Sequence, residues 1–181
     1  FGDPTGIARI LSSSLVVFAI GDETLELRLN QLSQRSIPRV HAWLEPRGLG
    51  GHVLQTGAPD STGCYACMFR TDGTYGLVNQ SAMAAPGQTL QATLEGCSGV
   101  FTPFGLADAQ RAGVEAARVV VDALEGVAAR TSRLLTWQTS RTGFVAAGGL
   151  LSIRGERIAE GASVMQQVGP RGCSVCGNWA Q

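Results

Sequence analysis

The sequence predicts an α/β fold: a β-α-β unit and a long helix, closed by a tail of short antiparallel strands stapled to the middle of the chain by a metal. Three observations carry this. "SLVVFAI" (14–20) is a continuous β-branched and apolar run, the pattern of a strand buried on both faces of a parallel sheet. "TPFGLADAQRAGVEAARVVVDALEG" is a long helical pattern bounded by start and stop signals. Cys64/Cys67 and Cys173/Cys176 form two C-x-x-C pairs far apart in the chain.

Taken in order, the first strand ends in "GDET" and passes into "LELRLNQLSQR", where Leu25, Leu29 and Leu32 recur at helical spacing. Asp22 or Thr24 is placed to cap that helix. Pro38 breaks the chain, and "RVHAWLEP" reads as a second strand, which completes the β-α-β unit. Its first strand ends on an acidic residue, and in open α/β sheets ligands sit at the carboxyl ends of strands. "RGLGGHVLQTG" adds a Gly-rich turn and a third strand. Residues 57–99 have little periodicity and read as a long loop, functional or mobile. In the long helix Thr102 is expected as the cap, Pro103 in the first position and Gly126 at the stop. Apolar residues on most of its faces imply that it is largely buried. "RLLTWQT", "GLLSIRG" and "ASVMQQVG" read as short antiparallel strands.

The chain has 181 residues, 44% hydrophobic and 15% charged, which suits one ordinary globular domain. Fourteen basic residues balance fourteen acidic ones without a basic block, so the electrostatic footprint of nucleic-acid binding is missing. No apolar run reaches the length of a membrane span and no secretion signal opens the sequence, so a cytoplasmic location is expected. The opening "FGDPTGIARIL" begins in mid-pattern, which suggests part of a larger protein. All basic residues are Arg, with no Lys. A GC-rich genome explains that, as does a protein that handles activated acyl groups and avoids offering them amines.

Two C-x-x-C pairs with turn-prone neighbours are the ligand set of a structural zinc site: each knuckle gives two sulfurs, and four close the tetrahedron. Disulfides are out of place in a cytosolic chain, and a redox dithiol needs only one such motif. Cys97, in "LEGCSGVF", stands alone. It is either a small buried apolar residue or a nucleophilic thiol before the long helix. His41 and His52 sit in strand or turn contexts typical of structural histidines, and neither is assigned a role.

The strand with "GDETLELRLN", then "GCYACMF", then "GCSGVFTPFGLADAQRAGVEAARVVVDALEG", then short strands and "GCSVCGN" together resemble the carboxyl-terminal part of the ubiquitin-activating-enzyme family. These are the ThiF/MoeB-type adenylyltransferases. "HAWLEPRGLGGHVL" leans towards the bacterial members beside ubiquitin-like conjugation systems. The resemblance implies a Rossmann-like adenylation fold over residues 1–130, including the loop 57–99, with a β tail and zinc knuckle over 131–181 closing onto 64–67. It implies ATP-dependent adenylation of the C-terminal glycine of a ubiquitin-like protein, followed by transfer to a cysteine. Asp22 then holds Mg²⁺, Arg28 contacts phosphate and Cys97 accepts the acyl group.

The family's Gly-rich nucleotide loop does not occur in this sequence, and Glu23 stands where the family has Asn. ATP and magnesium are therefore expected together with a missing amino-terminal half. The implied partners are a ubiquitin-like or sulfur-carrier protein, a conjugating enzyme and a second copy of the chain as a homodimer. Two alternatives are an inactive half that only binds a ubiquitin-like protein, and a sulfur-carrier adenylyltransferase for thiamine or molybdopterin synthesis.

Overall fold

The computed structural model describes residues 4–32, 37–57, 63–93, 100–126, 131–169 and 173–176. A short helix α1 (Pro4–Leu11) leads into strand β1 (Val16–Phe18), helix α2 (Glu23–Leu32) and strand β2 (Arg39–Leu44). Strand β3 (Gly50–Thr56) follows, then a 3-10 turn at Tyr65–Met68 and the hairpin β4 (Phe69–Asp72) and β5 (Gly76–Asn79). The two-residue strands β6 (Ala92–Thr93) and β7 (Val100–Phe101) pair with each other before helix α3 (Leu106–Leu124). Strand β8 (Arg133–Gln138), helices α4 (Arg141–Ala146) and α5 (Ile153–Arg157) and strand β9 (Ser163–Gln167) complete the order.

Five strands form one sheet in the order β1-β2-β3-β8-β9. Among the described residues only β1 and β2 run parallel, joined by α2 as expected; the other pairings are antiparallel, so the fold is mixed α/β. Because β8 pairs with β3, the tail strands extend the same sheet that β1 begins.

Alternation along the strands sorts the core. Val40, Ala42, Val53 and Trp137 face α3, where Ala112 and Ala116 allow close approach. Leu54 and Leu134 face the opposite way, onto Tyr65, Met68 and Val168. A third cluster of Leu49, Met83, Phe144 and Ile158 fills the end near α4 and α5. The glycines of "GLGGH" serve this packing. A Cβ on Gly50, at φ +148°, would fall 2.0 Å from the Trp137 carbonyl oxygen, and one on Gly51 would meet the Trp137 ring at 2.5 Å.

Several expectations need correction. β1 is an edge strand, with Val17 47% exposed, and is not buried on both faces. Residues 57–99 carry a 3-10 turn and a hairpin where a loop was expected; Asp72 closes the hairpin by accepting from the Thr74 and Tyr75 amides. The long helix starts at Leu106, with Gly105 as an extended cap, while the Pro103 carbonyl is taken up by the Arg47 amide. Gly126, at φ +72°, does end it. α3 is buried on one side only: the sheet covers Ala112 and Ala116, while Leu106, Val114, Val121 and Leu124 are exposed. "GLLSIRG" is no strand: its last three residues open α5, since the Ser152 hydroxyl caps that helix through the Gly155 amide, and Leu151 keeps a single bridge to Ala84.

Candidate metal centre

Two elements distant in sequence bring four sulfurs together. The 3-10 turn after Cys64 closes with the Cys67 amide on the Cys64 carbonyl, and the Cys64 amide donates to Cys67 Sγ at 3.3 Å. Gly63, at φ +119°, lies so close under the chain at Val168 that a Cβ would sit 2.5 Å from its carbonyl oxygen. That approach, and the Ser132 hydroxyl on the Gly63 carbonyl, set the 63–68 segment against the chain leaving β9. Cys173 and Cys176 follow a few residues later.

Cys64 Sγ lies 4.0 Å from Cys67 Sγ and 3.8 Å from Cys173 Sγ, Cys67 Sγ lies 3.2 Å from Cys176 Sγ, and all four fall within 4.8 Å of one another. A tetrahedral ion with metal–sulfur bonds of about 2.3 Å needs sulfurs about 3.8 Å apart. The four cysteines are all free thiols, so the set can hold a metal ion such as zinc, as the two C-x-x-C pairs predicted.

The electrostatics point the same way. A hydrogen bond from Cys67, helped by the Asn30 amide, outweighs burial and brings the Cys64 thiol down to about 5. The same bond, seen from its donor, drives Cys67 up, and burial pushes Cys176 up to about 12. One thiolate therefore forms readily while its neighbours resist losing their protons. A bound cation removes that conflict by neutralising the sulfurs together.

The sequence reading missed the residue that ties this cluster to the sheet. Asn30 is fully buried on α2; its Nδ2 donates to Cys64 Sγ at 3.5 Å and its Oδ1 accepts from the Tyr65 amide at 3.2 Å. One turn earlier on the same face, Glu26 is equally buried, meets His41 Nδ1 at 3.0 Å and accepts from the Ile20 amide. His41 is stacked between Phe18 and Tyr65, at 4.8 and 4.5 Å between ring centroids. The only signal for this was polar residues four apart on a helix whose partners were unknown.

A second buried pair lies on the same face of the sheet, where His52 stacks on Trp43. His52 Nε2 meets Glu45 Oε1 at 2.8 Å, and its Nδ1 meets Thr136 Oγ1, which also receives Arg154. Glu45 further accepts from the amides of Met83 and Ala84. Both histidines thus hold structure together, in keeping with their having been assigned no role. Between the hairpin and α5 opens a groove of about 1150 Å³, walled in part by Glu23, Trp43, Glu45, Arg154 and Arg157.

Of the remaining predicted residues, Asp22 and Arg28 are described, and neither belongs to the four-sulfur cluster. Asp22 is exposed just before α2 and caps it, with Oδ1 accepting from the Leu25 amide at 3.0 Å. Arg28 is exposed six residues further on. Cys97 lies outside the described residues. Among the described residues no helix is long and apolar enough to cross a membrane. No family model matches this sequence, and no curated protein or solved structure is similar to it.

Two outcomes are expected. Cys173→Ser should release the metal and lower the melting temperature, while Asn30→Ala should keep the four sulfurs yet weaken metal affinity by about 10–100-fold in chelator competition. Affinity unchanged in Asn30→Ala would remove Asn30 from the site. Burial, opposed by Glu26, keeps His41 neutral below its ordinary pKa. The unfolded chain takes up that proton below about pH 6.5, the folded one does not, so stability falls as pH drops through 6.5, by up to about 1.4 kcal/mol per pH unit. His41→Gln should flatten that slope in urea melts across pH 5–7; an unchanged slope would acquit His41.

Proposed function

We propose that this chain is the carboxyl-terminal part of a Rossmann-like, ThiF/MoeB-type adenylation domain, with structural zinc, that activates the C-terminal glycine of a ubiquitin-like protein. The observation that carries this reading is the double use of α2. Its first turn follows Asp22 at the exit of the parallel strand β1, and its last turns lock the four-cysteine centre through Asn30. A crossover with a carboxylate at the strand exit is where a nucleotide-handling sheet puts its metal-binding group. The four-sulfur centre leaves no open position for water and so acts as a staple.

In this scheme Mg-ATP, as co-substrate, supplies the phosphorus that the glycine carboxylate attacks, with pyrophosphate leaving. Asp22 would hold the magnesium ion and Arg28 would offer a guanidinium to phosphate. The Gly-rich phosphate loop is not in this sequence, so those contacts come from another segment or a partner. Cys97 would attack the acyl-adenylate as a thiolate: its sulfur bonds the glycine carbonyl carbon, the carbonyl–oxygen bond breaks, and AMP leaves with the electron pair. A chain with no Lys has no side-chain amine to intercept that thioester. The groove that starts at Glu23, next to Asp22, is large enough for an extended peptide tail.

A second reading is favoured by the cap at Asp22. A carboxylate occupied as an N-cap suits an inactive half that only binds a ubiquitin-like protein.

ATP–pyrophosphate exchange by the full-length protein, with a ubiquitin-like protein from the same operon, separates the two. We expect exchange that falls by about 10²-fold or more in Asp22→Ala, and a thiol-labile adduct lost in Cys97→Ala. Binding of the carrier without any exchange would establish the inactive half. Exchange without an adduct would assign the chain to sulfur-carrier adenylation.

A further inference from the structure

We infer that β9 is a self-association edge: two copies of this chain pair antiparallel along Ser163–Gln167, about a two-fold axis at Met165, and join their sheets into one. β9 is the last strand of the sheet, and among the described residues its only strand partner is β8. Gln138 N donates to the Ala162 carbonyl and Val168 N to the Ser132 carbonyl. With the register Thr136↔Val164 and Leu134↔Gln166, alternation turns the amides and carbonyls of 164 and 166 towards β8. Those of Ser163, Met165 and Gln167 therefore point outward.

That outward set is self-complementary. In an antiparallel pair centred on Met165, Ser163 stands opposite Gln167 of the other copy, Met165 opposite Met165, and Gln167 opposite Ser163. All three are then hydrogen-bonded pairs, so each outward amide meets an outward carbonyl. A shift by one residue would set outward groups against inward ones and leave them unpaired, and a shift by two would keep only two of the three pairs, so the register centred on Met165 makes the most bonds.

The strand's own residues supply none of the devices by which edges avoid such pairing, and the one charge that reaches it among the described outward positions is the Arg111 guanidinium of α3 on Ser163 Oγ at one end. "SVMQQ" has no charge, no Pro and no bulge. Met165 is 52% and Val164 39% exposed, apolar area that a neighbouring strand would cover. Gly161 and Gly169 flank the strand, and among the described residues a Cβ on either would meet nothing within 4 Å. A chain of net charge zero adds no long-range repulsion between copies.

The inference does not depend on the adenylation reading, and its test needs no nucleotide. Light scattering behind size exclusion on the full protein should give twice the chain mass. Met165→Arg and Met165→Glu should each halve it, with near-UV circular dichroism and metal content unchanged, because like charges then face each other on the axis. Mixing the two variants should restore the doubled mass, which a misfolded variant could not do. A wild-type protein at single-chain mass would overturn the inference, as would a doubled mass unmoved by either variant, or no recovery on mixing. A single-chain wild type that binds a ubiquitin-like protein one to one, with binding lost in Met165→Pro, would assign the edge to a strand of that partner instead.

Discussion

Four sulfurs within 4.8 Å of one another cannot all be ionised in a half-buried site unless a cation lies among them. Much of the architecture follows from meeting that constraint. The C-terminal segment must return to the turn after β3, so β8 and β9 extend the first three strands into one sheet. Gly63 must lie against Val168, which excludes any side chain there. A metal ion shared by these sulfurs would cross-link residues 64 to 176 and restrict the unfolded chain over most of its length, since closing a long loop restricts the chain most.

The four-cysteine cluster does not stand on sulfur alone. α2 buries a polar face, with Glu26 and Asn30 one turn apart, and each side chain finds a partner: His41 for one, Cys64 and the Tyr65 amide for the other. Tyr65 closes the circuit, since its ring stacks on His41 while its amide binds Asn30. Leaving one partner of such a network buried and unsatisfied costs about 1–3 kcal/mol, more if it is charged. Strand, helix and knuckle are therefore positioned together, and the acid at the exit of β1 inherits that rigidity.

How much of this was legible in the sequence depends on whether local pattern or distant partners decide the outcome. The crossover β1-α2-β2 and strands β3, β8 and β9 follow from runs of apolar residues and their punctuation, and the four cysteines follow from spacing. The burial of α3 was misjudged because periodicity counts apolar faces without saying how many the rest of the fold can cover. "GLLSIRG" was misjudged because one serine hydroxyl on the Gly155 amide outweighed a weak alternating pattern. Asn30 and Glu26 were invisible as site residues, because their value lies in Cys64 and His41, which only the folded chain brings near. The glycines of "GLGGH" read only as a turn before β3, while in the fold Gly50 and Gly51 make room for Trp137.

The central claim is that the four cysteines share one metal ion. X-ray absorption at the metal edge of the purified full-length protein tests it most directly. One zinc per chain is expected, with four sulfur neighbours at about 2.3 Å and no nitrogen or oxygen in the shell. A shell with fewer sulfurs, or protein that folds with these thiols and binds no metal, would contradict it.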